Sequence, residues 1–226
     1  ATATAAYALK SRALLYAASA LHNAKNDRAK WTAAANASKE AIEFAEKNGF
    51  ALYQHADYKK VFTDKRNAEV LFDYNFSNVP GGGLDIVCQP NSYGGWSVYT
   101  PSQTMVDAFE LTNGKLPQDP SSGYDAQNPH INRDPRFYAN ILYNGAIFRG
   151  TPVEIFAGGK DSQQGDQGWN ATETGYHWRN YMSETIRFGS EGSNLNWIIF
   201  RLAELYLNYA EALQELGEDN LAKTYV

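Results

Sequence analysis

The chain has 226 residues, of which 43% are hydrophobic and 20% charged, too apolar a mixture for a disordered segment and enough to form a real core. A formal net charge of -5, from 20 Lys and Arg against 25 Asp and Glu, supplies no broad cationic surface for a phosphate backbone and argues against nucleic-acid binding. The one cysteine, Cys88, excludes an internal disulfide framework and a Cys-rich zinc site, and no apolar run approaches the roughly 18 residues of a membrane span.

Residues 2 to 21 are Ala-rich and free of Gly and Pro, which predicts a first helix. Asn26-Asp27 then offers a cap for a second helix that closes at Asn48-Gly49, so residues 1–50 read as a helical hairpin. In the second helix Trp31, Ala34, Ala35, Ser38, Ala41, Ile42 and Ala45 recur at steps of three and four, a stripe along one face. Its residues are mostly small, so a neighbouring helix can pack close.

Residues 51–197 are rich in Gly, Asn, Ser, Pro and Asp and read as a loop-rich subdomain with short elements. A strand is expected over Glu69 to Phe76. Gly81-Gly82-Gly83 lacks the Lys-Ser/Thr ending of a phosphate loop and reads as a flexible turn. Pro101 in a first turn, followed by Met105, Val106, Ala108 and Phe109, predicts a short helix. Phe137 to Tyr143 and Ala146 to Phe148 around Asn144-Gly145 predict a β-hairpin.

The last segment, residues 198–226, again reads as helix. Leu202, Leu205, Tyr206, Tyr209, Leu213 and Leu216 share a face, Gly217 stands at the C′ position, and a second helix is expected from near Glu218. The pattern Tyr206, Ala210, Leu213, Gly217, Ala222 is that of a tetratricopeptide-like helix pair, here truncated at Val226. The expected fold class is therefore mainly α, with tetratricopeptide-like helical hairpins and an irregular loop-rich subdomain carrying short β-strands and a hairpin.

Aromatic residues make up 14% of the chain, including 15 Tyr and 5 Trp. Tyr and Trp combine a flat apolar face with a polar handle and suit a partly apolar, partly hydroxylated ligand, whose hydroxyls need polar groups beside them, and two clusters offer both. One is Tyr93, Trp96 and Tyr99 around Gly94-Gly95, with Asn91 and Gln103 nearby. The other is Trp169, Tyr176 and Trp178 in a polar, Gly-interrupted stretch that also holds Asn170, Arg179 and Tyr181. Trp96 and Trp178 are equally of a type that plugs a scaffold. Arg133, Asp134, Arg136, Glu204 and Glu211 read as structural ion pairs and caps.

Enzymatic motifs are missing. His22, His55, His130 and His177 have no metal-ligand spacing, and neither His-Glu-x-x-His nor Gly-x-Ser-x-Gly occurs. Asp161 and Asp166 fit no EF-hand loop and read as a solvated loop rather than a calcium site. Glycoside hydrolysis needs only two suitably spaced carboxylates and stays open at this point.

Several segments carry a family resemblance. Arg201-Leu-Ala-Glu-Leu-Tyr-Leu-Asn-Tyr-Ala-Glu-Ala-Leu213 resembles the signature helix of the SusD/RagB family of glycan-binding outer-membrane lipoproteins of Bacteroidota. In the family's order it is joined by Ala8-Leu-Lys-Ser-Arg-Ala-Leu-Leu-Tyr16, Thr100-Pro-Ser-Gln-Thr-Met-Val-Asp-Ala-Phe109 with Asn113-Gly114, and Asn132-Arg-Asp-Pro-Arg-Phe137. The resemblance implies a central excerpt of a longer, surface-exposed protein, held to the outer membrane by a lipid anchor that this chain does not contain. It implies no catalysis and no cofactor. The implied role is handing a glycan to a SusC-like TonB-dependent transporter. The alternative role is a transporter lid or scaffold for other nutrients such as peptides.

Overall fold

A computed structural model describes residues 2–54, 58–76, 83–185 and 195–226, apart from the Asp85 side chain. The expected Gly81-Gly82 turn and His55 lie outside the described residues. In chain order the elements are α1 (Ala3–Ala18), α2 (Arg28–Lys47), α3 (Lys60–Thr63), β1 (Val70–Tyr74), α4 (Leu84–Cys88), α5 (Gln103–Asp107), α6 (Pro135–Asn140), β2 (Ile141–Leu142), β3 (Ile147–Phe148), β4 (Thr151–Pro152), β5 (His177–Trp178), β6 (Trp197–Arg201), α7 (Leu202–Glu215) and α8 (Asp219–Ala222). The fold is mainly helical with few short strands. The chain divides into two units, one of residues 1–54, 64–74 and 196–226, the other of residues 55–63 and 75–195.

The first unit is built on α1, α2 and α7. Thr2 caps α1 by accepting from the Ala5 amide, and α1 ends at Ser19, two residues short of the expected limit. Asp27 caps α2 by accepting from the Ala29 amide, and Gly49 (φ +86°) ends it with the Phe50 amide returning to the Ala45 carbonyl. The small-residue stripe of α2 is buried as expected, with Ala37 added to it. Small side chains let polar ones meet across the helices. Asn208 Nδ2 donates to Ser11 Oγ (3.1 Å), Ser11 and Ser38 hydroxyls meet at 2.8 Å, and Ser38 Oγ donates to the Ala34 carbonyl (2.9 Å). This chain of hydrogen bonds crosses α7, α1 and α2 inside the core.

Two ion pairs frame the same unit. Arg12 grips Glu204 with Nε and Nη2, donates to the Ile199 carbonyl (2.7 Å) and lies 4.1 Å over the Phe200 ring. The hydrogen bond to Glu204 raises the Arg12 pKa. Arg201 meets the buried Glu69 at 2.6 Å, and the other Glu69 oxygen accepts from the Tyr53 amide (3.0 Å). Glu204 thus pairs as expected, whereas Glu211 is exposed and lines a groove with Leu207 and Ala222. The expected strand appears as β1 and runs antiparallel to β6, a partner that the sequence reading did not name. At the end of α7 Gly217 (φ +77°) makes the predicted stop, with the Glu218 amide bound to the Leu213 carbonyl (2.9 Å), and α8 follows at once.

The second unit holds smaller cores. Cys88, Leu142, Ala146, Phe148, Val153 and Met182 form one, and Val106, Phe137 and Ile141 another. The predicted hairpin is not formed as expected. Asp134 caps and Pro135 opens α6, so residues 135–140 are helical, and β2 pairs instead with β5. The hairpin joins β3 to β4 through Arg149-Gly150, both at positive φ (49° and 80°), not through Asn144-Gly145. Asn144 serves another purpose, accepting from the Ile155 and Phe156 amides. Pro101 also lies just outside its helix, because Ser102 is the cap of α5.

Arg133 is a further correction. It is 1% exposed, yet it finds carbonyls rather than a carboxylate: Nη2 donates to Val106 (2.6 Å) and Phe109 (2.8 Å), and Nη1 to Pro129 (3.1 Å). It thereby satisfies the open C-terminal end of α5. Asp134 does pair with Arg136, as expected, at 2.8 Å.

Candidate functional site

All the sequence-derived site residues lie in the second unit. The first loop grows out of α4. A Cβ on Gly95 would lie 2.0 Å from the Gln89 carbonyl oxygen, so only glycine lets the chain fold back here. The returning strand is then pinned, with the Trp96 amide on the Ile86 carbonyl (2.7 Å) and the Val98 and Tyr99 amides on that of Val87 (2.8 and 3.1 Å). Trp96 is 50% exposed and Tyr99 54%. Tyr93 turns inward, its ring edge-on to Phe148 with the ring centres 5.0 Å apart and its hydroxyl at the Phe148 carbonyl and Thr151.

The second loop, residues 154 to 170, is organised by a buried carboxylate. Asp161 accepts from the Ser92 hydroxyl and from the Glu154 amide (2.8 Å), so both of its oxygens are engaged and it is buried, against expectation, whereas Asp166 is exposed as expected. Asn91, also fully buried, donates to the Asp166 carbonyl (2.6 Å). These contacts fasten the second loop to the first. Among the described residues no three His, Cys, Asp or Glu side chains could hold a metal ion. At the loop's end Gly168 is so close to the Gln163 carbonyl (2.0 Å for a Cβ) that only glycine fits, and Trp169 stands 83% exposed.

Tyr176 and Trp178 are anchors rather than open platforms. The Tyr176 hydroxyl donates to Gln103 Oε1 (3.1 Å), and its ring edge meets His130, which stacks on Tyr143 at 4.2 Å. Burial lowers the His130 pKa. Trp178 lies opposite Ile141 in the β2–β5 pair and packs edge-on against Tyr181 at 5.2 Å. Its neighbour His177 points the other way, fully buried, and burial pushes its pKa down to about 3. Arg179 is occupied by Glu184 (2.7 Å) and by the Tyr138 and Ile147 carbonyls.

The six residues therefore divide. Trp96, Tyr99 and Trp169 present open faces, while Tyr93, Tyr176 and Trp178 are half-buried. Each of the two exposed Trp residues of the second unit has a non-glycine residue in the left-handed region close by, Ser97 (φ 44°) beside Trp96 and Gln167 (φ 50°) two residues before Trp169. Such backbone strain is characteristic of functional positions. Phe156, 56% exposed in the second loop, completes the open aromatics and was missed. An isolated aromatic before Ala157-Gly158-Gly159 was its only signal. Flat faces on pinned loops, among amides and hydroxyls, suit a ligand that is apolar on its faces and hydroxylated on its rim.

The sequence profile of the SusD family matches residues 39–226. The chain belongs to the SusD family. Solved structures agree. A SusD-like carbohydrate-binding protein from Bacteroides fragilis is 27% identical, with a TM-score of 0.73 over 95% of this chain and 40% of its own. A SusD superfamily protein from Bacteroides vulgatus is 20% identical, with a TM-score of 0.64 over 98% of this chain and 41% of its own. Surface glycan-binding protein A from Bacteroides fluxus is 21% identical, with a TM-score of 0.53 over 94% of this chain and 40% of its own. No curated protein sequence matches the chain. This SusD-family chain thus spans about two fifths of the length of these structures. None of its described helices is long and apolar enough to cross a membrane.

Proposed function

We propose that the chain binds glycans without catalysis, stacking sugar rings on Trp96, Tyr99 and Trp169. Tyr93 anchors the first loop on Phe148 and Thr151, while Tyr176 and Trp178 are packed elsewhere in the same unit. The single observation that carries this reading is the pair of exposed tryptophans on loops whose backbones are pinned and locally strained. A platform that needs no ordering loses little entropy on binding. The carbohydrate-binding B. fragilis relative supports the ligand class. In the whole protein the site works at the cell surface, lipid-anchored to the outer membrane, and delivers its glycan to a SusC-like TonB-dependent transporter.

Isothermal titration with a panel of neutral hexasaccharides tests the binding step. Trp169→Ala should weaken the best ligand about tenfold, the equivalent of about 1.4 kcal/mol of lost stacking. Unchanged affinity would remove Trp169 from the site. Co-purification of a large β-barrel with the full-length protein tests the delivery step, and a full-length protein recovered alone would count against it.

A further inference from the structure

The α5 helix and the chain beyond it surround an open cavity of about 310 Å³, lined by Thr104, Asp107, Ala108, Leu116 and Gln118. That volume is at the lower end of the range of small-molecule sites, about 300 to 1,000 Å³. Thr104, Asp107 and Ala108 stand three and four residues apart and so share a face of α5. Ala108 and the 45%-exposed Leu116 are the apolar part of the wall, and a hydroxyl, a carboxylate and a carboxamide are the polar part.

The carboxylate is held in place. Tyr176 Oη donates to Gln103 Oε1 (3.1 Å), and Gln103 Nε2 donates to Asp107 Oδ1 (2.8 Å). This relay engages one oxygen, Oδ1, of a carboxylate that lines the cavity. The lining contains no cation, and the Lys115 ammonium, on the residue before Leu116, is directed to the hydroxyl (2.6 Å) and carbonyl (3.2 Å) of Ser121 while keeping its charge.

We infer that this cavity is a subsite for one neutral sugar residue. A sugar hydroxyl donates to Asp107 Oδ2, others bond Thr104 Oγ1 and the Gln118 amide, and the ring's C–H face lies on Ala108 and Leu116. A carboxylated or sulfated sugar would meet the like charge of Asp107 with no cation in the lining to offset it, so the site selects neutral glycans. The inference rests on the glycan-binding reading and adds the charge class of the ligand, read from residues outside the aromatic loops.

The test is titration with cellohexaose, maltohexaose, mannohexaose and hexagalacturonate, on wild type, Asp107→Asn and Ala108→Phe. The first variant keeps an oxygen for Gln103 but turns the other acceptor into a donor. The second fills the cavity from an exposed position. The expected result is that a neutral hexasaccharide binds wild type more tightly than hexagalacturonate does, and that each variant weakens it about tenfold or more. Wild-type protein that binds none of the four overturns the glycan-binding reading and the subsite with it. Wild-type binding that both variants leave within about twofold, or preference for hexagalacturonate, overturns the subsite alone.

Discussion

The two units solve the same problem, how to keep polar groups satisfied away from water, by different means. In the first, long helices and the β1–β6 pair bring together side chains far apart in sequence, the helices in Asn208–Ser11–Ser38 and Arg12–Glu204 and the strands in Arg201–Glu69. In the second, single buried side chains hold loop backbone: Arg133 on three carbonyls, Asp161 on Ser92 and Glu154, Asn91 on Asp166. The difference bears on function. Regular helices need their side chains for each other, whereas loops pinned from within leave aromatic faces free for a ligand.

The largest expected break in this comparison is Arg133→Met. It strands the Phe109 and Pro129 carbonyls, removes one of the partners of the Val106 carbonyl, and should destabilise the second unit by about 3–5 kcal/mol. Chemical denaturation should then show an early loss of near-ultraviolet signal with the far-ultraviolet helical signal retained. Concerted loss of both would contradict separate construction of the units.

A comparable effect is expected from pH. The folded pKa of His177, about 3, lies below the ordinary 6.5, so the unfolded chain binds the extra proton between those values. Its neutral form therefore favours the fold fully above pH 6.5, and that contribution is lost as pH falls through 3, by up to roughly 5 kcal/mol. His177→Leu should flatten the stability profile between pH 6.5 and 4, and an unchanged slope would show that the imidazole is not enclosed. The smallest effect belongs to the helical unit. Ser11→Ala removes the middle of the Asn208–Ser11–Ser38 chain and should cost about 1–2 kcal/mol, read as a lower denaturation midpoint.

How much of this was legible in the sequence depended on the range of the signal. The α2 and α7 helices were, because Asp27, Gly49 and Gly217 mark their ends and apolar residues recur along one face. The hairpin was misplaced because Asn144-Gly145 and Arg149-Gly150 are both adequate turns, and the choice lay in the non-local pairing of Ile141 and Leu142 with His177 and Trp178. The role of Arg133 was hidden for the same reason, two of its three carbonyl partners being 24 and 27 residues away. Composition identified the aromatic loops. It could not separate Trp169, which is open, from Trp178, which is packed, because both lie in similar polar sequence.

The central claim is that the exposed tryptophans serve a ligand and not the fold. The most direct measurement is parallel titration and thermal unfolding of the double variant Trp96→Ala/Trp169→Ala against wild type, using the tightest-binding neutral hexasaccharide. The account predicts an affinity loss of about a hundredfold with an unmoved melting temperature. Retained affinity, or a melting temperature that falls together with it, would contradict it.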